Sequence, residues 1–253
     1  MRNFMKSNNP IFKNQESKAW AATVTDKRTG GPILDSSTNM TVSGAVNKTM
    51  ILGGILMITT LYSYLFPNRL FMPVGALGGA AVFMLTSFKP HLAPTTAPIY
   101  ALLKGLFVGT ISAMMAAQFG GIIIQAASLT IATLLSMLMV YRSGLIKVTK
   151  KFRMGVTMAV GAIMIVYLLS WIGSFVGFQI PFIHDSSPIG IGITVVIIGV
   201  AALNLLLDFD NFERGEKAAA PKHYEWYYGM GLLFTLVWLY VEFLRLLSKI
   251  QSD

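Results

Sequence analysis

Cysteine is absent from the 253 residues. That excludes a disulfide framework, a thiolate metal site and a cysteine nucleophile. Charge is scarce as well. Only 12% of the residues are Asp, Glu, Lys or Arg, against about 25% in an ordinary soluble domain. A soluble globular enzyme, a disordered chain and a nucleic-acid-binding module all need more charge than this. Standard enzyme signatures are missing too: HExxH, GxSxG, the GxxxxGK phosphate loop, and GxGxxG after a strand. His91, His184 and His223 fall in polar connections without metal-ligand spacing. The expectation is a non-enzyme that needs no cofactor and no metal.

What is abundant is carbon. Hydrophobic residues make up 54% of the chain and mean hydropathy is +0.62. Seven apolar runs, roughly 47–66, 69–88, 97–118, 121–141, 154–176, 188–208 and 226–247, each approach the ~20 residues that cross ~30 Å of hydrocarbon. Helices are required there, because an open strand in lipid leaves its backbone groups unpaired. The predicted fold class is all-α, a polytopic membrane protein with a seven-transmembrane-helix bundle over residues 47–253. Residues 1–46, polar and interrupted by Gly30, Gly31 and Pro32, read as a flexible cytosolic tail without the apolar core of a secretory signal.

The net charge of +9 follows the positive-inside rule rather than a nucleic-acid partner. Sixteen of the twenty Lys and Arg residues fall on the side of the N-terminal tail. Arg69, Arg245 and Lys249 fall on the other, and Lys104 lies inside a run. The count places the N-terminus in the cytosol and, with seven spans, the C-terminus outside. Glycines at helical spacing read as packing surfaces: Gly105 with Gly109, Gly173 with Gly177, the cluster Gly75, Gly78 and Gly79, and the set Gly190, Gly192 and Gly199. The aromatic group Tyr224, Trp226, Tyr227 and Tyr228 reads as an interface belt, with Trp238 and Tyr240 doing the same at the other end of the last run.

Ionisable residues inside spans are rare and costly, so they are the first candidates for function. They are Lys104, Asp208, Asp210, Glu225 and Glu242, with polar Asn204, Thr235, Gln118 and Gln125 beside them. Counted from residue 97, Lys104 lies about two turns inside, roughly 10 Å. Asp208 and Asp210 fall at a similar depth on the sixth run, which makes Lys104 a candidate internal counter-ion to one of them. Asn204 shares a helix face with Asp208 and is a candidate polar liner, as is Thr235. Glu242 falls near the outer end of its run, where Arg245 can pair with it. Glu225 and Glu242 are secondary candidates.

The stretches AALNLLLDFD over 201–210, YEWY over 224–227, TLVWLYVEFLRLL over 235–247 and YRSGLIKVT over 141–149 resemble the bacterial YccA-like branch of the Bax inhibitor-1 family. The resemblance runs from about residue 47 and leaves the tail outside. It implies a seven-helix bundle with the seventh helix central. It also implies a pH-sensitive calcium or cation leak through the bacterial inner membrane, in which an acid on the sixth helix faces an acid on the seventh. Two carboxylates in one dry site cannot both stay ionised cheaply, so such a pair responds to protons. Asp208 or Asp210 stands for the sixth-helix acid. Counting back from Leu244-Arg245, the seventh-helix position is Thr235, and Lys104 stands where many relatives carry an acid. The alternative expectation is a non-conducting partner that restrains a membrane-bound quality-control protease, with the tail as the contact segment.

Overall fold

The structure is a computed structural model and describes residues 38–175 and 185–252. Among them lie seven long helices and no strand. They are α1 Val42–Leu65, α2 Phe71–Phe88, α3 Ala93–Ala116, α4 Ile122–Ser143, α5 Lys150–Phe175, α6 Pro188–Lys217 and α7 Tyr224–Gln251. All seven are long and apolar enough to cross a membrane.

The helix ends differ from the apolar runs wherever local chemistry extends the backbone beyond the hydrocarbon pattern. Thr41 caps α1 by accepting a hydrogen bond from the Gly44 N–H at 2.9 Å, so the helix begins five residues before the run. A 3₁₀ turn, Pro90–Leu92, leads into α3, whose Pro94 sits in the first turn, where its missing N–H costs nothing. Ser187 caps α6, which continues nine residues past the apolar run into Asn211, Glu213 and Lys217. Left-handed glycines, Gly121 at φ 74° and Gly144 at φ 68°, bracket α4 and turn the chain into its neighbours.

The centre of the bundle is α7, which packs against α1, α3, α4 and α6. α2 lies on α3, and α5 lies on α6. Glycine sets the closest approach, that of α3 to α1. A Cβ at Gly105 would overlap the Leu56 carbonyl and the Thr59 side chain, and one at Gly109 would overlap the Thr60 carbonyl. In α2 a π-helical turn, Val74–Gly78, presents Gly75 to the α3 backbone at Leu103. Gly192 and Gly199 of α6 meet nothing within 4 Å, so the packing role expected of them is corrected; they lie on the outer face of the bundle. Gly177 lies outside the described residues. Trp238 is packed within the bundle and Tyr240 is half-buried. Trp238 is 7% exposed, and the Tyr240 hydroxyl pairs with Ser112 at 2.8 Å.

Candidate functional site

Asp208 is on α6 with apolar neighbours in sequence: Leu205, Leu206, Leu207 and Phe209 are all buried, and Asp208 itself is 8% exposed. A carboxylate in such surroundings needs donors. Two come from residues predicted to line the site. Thr235 Oγ1 of α7 donates to Asp208 Oδ2 at 2.7 Å. Asn204, one turn back on α6, donates to the same oxygen at 3.4 Å and to Thr235 Oγ1 at 2.9 Å. Both bonds end on Oδ2. Oδ1 points toward Gly231 of α7, 4.0 Å from where a Cβ would stand, and takes no hydrogen bond among the described residues. The absence of a side chain at Gly231 leaves space beside that oxygen.

Asp210 occupies a different environment two residues on. Its Oδ2 is paired with Arg153 of α5 and Arg214 of α6, each at 2.5 Å, and the Arg153 guanidinium also donates to Asn211 at 2.7 Å. Two cations on one carboxylate make a charged tie between α5 and α6. The two acids that sequence leaves equivalent are therefore separated: Asp208 is interior without an ion pair, and Asp210 is neutralised near the helix end.

Lys104 is not brought to either acid, and its counter-ion role is corrected. Because α3 begins at Ala93 rather than 97, Lys104 is eleven residues in, about 16 Å, near the middle of the helix. It faces α2. Its stem lies against Gly79, and its ammonium sits over the rings of Phe107 at 5.4 Å and Tyr100 at 5.8 Å. The cation that another helix brings to a sixth-helix acid is Arg153, on Asp210. In the sequence Arg153 is one of the sixteen basic residues on the side of the tail, immediately before the fifth apolar run.

The secondary candidates are both buried, at 1% exposure. Glu242 pairs with Arg245 at 3.1 Å as expected and is buried within the bundle, where the Tyr167 hydroxyl of α5 donates to it at 2.8 Å. Nothing in the apolar fifth run marked Tyr167 for this contact. Glu225 accepts the Thr41 backbone N–H at 3.0 Å and pairs with Lys222 at 2.9 Å. With Glu216, which accepts the Val42 N–H at 3.0 Å, it sets negative charge on the N-terminus of α1. That is an anchoring role, and it explains why residue 44 is glycine: a Cβ there would overlap the Glu225 carboxylate. Tyr224, Tyr227 and Tyr228 pack ring to ring at 5.5–5.7 Å, and Lys48 covers Trp226 at 4.8 Å. Gln125 meets Gln251 at 3.4 Å, and Gln118 lines a separate polar cleft with Arg245 and Ser248. His184 lies outside the described residues.

A bundle of seven apolar helices around a buried polar centre defines a multi-pass membrane protein. The family model described as Bax inhibitor 1 like matches residues 9–252. The chain belongs to that family, and the match takes in most of the tail that the resemblance left out. Comparison with curated proteins and with solved structures returns no match.

Proposed function

We propose that the protein is a pH-sensitive cation leak channel, with calcium as the first ion to test, and that Asp208 is the group that answers to protons and cations. The observation that carries this reading is the half-satisfied carboxylate. Oδ2 is held in place by Thr235 and Asn204, and Oδ1 faces the space over Gly231. An oriented carboxylate with one free oxygen can accept a proton or meet a cation without first breaking its own hydrogen bonds. Protonation removes the negative charge of a carboxylate that has no ion pair among the described residues. That change biases any equilibrium between conformations that hydrate Asp208 differently.

The arrangement departs from a two-carboxylate latch. Thr235 donates a hydrogen bond where the resemblance implies a second acid. A hydroxyl stabilises the ionised form of its partner but does not share a titrating proton with it. The proton response we propose is therefore that of a single group, with Arg153 as the nearby fixed cation. We place the protein in the bacterial inner membrane with the N-terminus cytosolic, on the distribution of Lys and Arg.

The test is calcium flux into liposomes containing the purified protein, across a pH series. Wild type should conduct with a pH-dependent rate. Asp208→Asn should remove the pH dependence, whereas Asp210→Asn should keep it and change the magnitude, because it releases Arg153 and Arg214. Absence of flux at every pH in wild type would overturn the channel reading. The second reading, a non-conducting membrane protein that restrains a quality-control protease, would then stand.

A further inference from the structure

Between α1 and α4 the bundle is open on its side. These two helices are not packed on one another, and the gap between them is a groove of about 750 Å³ whose floor is α3 and α7. Its rim is made of large side chains that project outward, among them Met57 at 66% and Ile124 at 74% exposure. No charged residue lines it. The hydroxyls in its wall mostly spend their hydrogen bonds on the protein: Ser112 with Tyr240, and Thr130 with the Ala126 carbonyl. Water has few partners there, and a dry void would forfeit the dispersion contacts of the whole lining.

We infer that this groove is a binding site for one acyl chain of a bilayer lipid. Three features support a lipid chain over other occupants. The mouth opens on the apolar surface of membrane-spanning helices, so the medium at the opening is hydrocarbon. The α1 wall runs from Gly53 to Tyr64, eleven residues or about 16 Å, close to the ~15 Å that one leaflet contributes to a ~30 Å core. Finally, the lining comes from the C-terminal half of α1, the C-terminal half of α3 and the N-terminal half of α4. In an up-and-down bundle those three halves lie on the same side of the midplane, so the groove belongs to a single leaflet. An acyl chain there lies along Leu236 and Val237 of α7, the helix that carries Thr235, and reaches the central helix without crossing the polar site.

The experiment uses the full-length protein in lipid nanodiscs that contain a phospholipid with a photoactivatable diazirine on its acyl chain. Labelled positions are mapped by mass spectrometry. Two variants make the result specific. A Cβ at Gly53 meets nothing within 4 Å, so Gly53→Leu places a side chain in the groove without displacing a neighbour. A Cβ at Gly192 of α6 also meets nothing but lies away from the groove, so Gly192→Leu is the control. The expected result is strong labelling of the floor at Leu236 and Val237 in wild type, its loss in Gly53→Leu, and its persistence in Gly192→Leu. Labelling of exposed residues such as Val196 should survive in all three. Floor labelling that is absent in wild type, or unchanged in Gly53→Leu, would overturn the site. So would floor protection accompanied by cross-links between two copies of the chain, which would assign the groove to self-association.

Discussion

A lysine in the middle of a membrane helix commonly answers a buried acid, yet Lys104 holds two aromatic faces instead. The consequence is measurable. Lys104→Met removes a cation–π contact and the desolvation of an ammonium, two opposing effects, so thermal stability in detergent should change by about 1 kcal/mol or less. Loss of a counter-ion to Asp208 would cost about 3–5 kcal/mol, so a large fall in melting temperature would restore the pairing that the geometry denies. At the edge of the bundle His223, between α6 and α7, lies against the Tyr224 ring, tilted to it, with centroids 4.8 Å apart. Partial burial, and then the charge of His91, hold its pKa below the usual histidine value. The folded protein therefore binds fewer protons there than the unfolded chain as pH falls through the mid-6 region. Its contribution to stability is complete above that region and is lost on acidification. His223→Gln should flatten this part of a melting-temperature profile against pH, and an unchanged slope would show that another group sets it.

At the level of helices, the glycines separate into those that govern packing and those that do not, and spacing alone does not sort them. Gly109 touches the α1 backbone, and beside it Ser63 bonds both the Leu106 carbonyl and Thr110 at 2.8 Å. Gly109→Val should push α3 off α1 and break this polar knot. The expected cost is at least about 1–3 kcal/mol, read as loss of monodisperse protein after heating in detergent. Gly54→Ala, where a Cβ meets nothing within 4 Å, should be neutral or slightly stabilising. Equal effects at the two positions would contradict the packing described. The same sorting applies to acids. Glu225 and Glu216 are fastened to the start of α1, Glu242 ties α7 to α5 through Tyr167, and Asp210 ties α6 to α5 through Arg153. Asp208 is left as the interior carboxylate without an ion pair. Sequence makes four of these acids, Asp208, Asp210, Glu225 and Glu242, and Lys104 visible as candidates, because charge is conspicuous in apolar runs. It did not rank them, because the partners Thr41, Arg153 and Tyr167 are distant in the chain.

For the whole molecule, the seven helices sit close to the seven apolar runs, since the cost of unpaired backbone in hydrocarbon leaves little freedom. The runs underestimate α6 most, because its last nine residues, mostly polar, continue the helix beyond the hydrocarbon pattern. The sixteen basic residues on one side are the basis of the proposed orientation. A reporter fused to the N-terminus should be protected in intact cells and one fused to the C-terminus accessible from outside. The opposite labelling would invert the molecule and put the lipid groove in the other leaflet.

Composition, hydropathy and the distribution of Lys and Arg determined the all-α class, the number of spans and the residues from which a site could be built. These are additive properties of local sequence, and hydrocarbon enforces them strongly. Only the tertiary structure decided that Asp208 meets Thr235 and Asn204, that Asp210 is neutralised by Arg153, that Lys104 faces α2, and that α1 and α4 part to leave a groove. Each depends on the rotation of one helix against another. A hydropathy pattern does not encode that rotation, because it depends on which side chains of distant segments fit together.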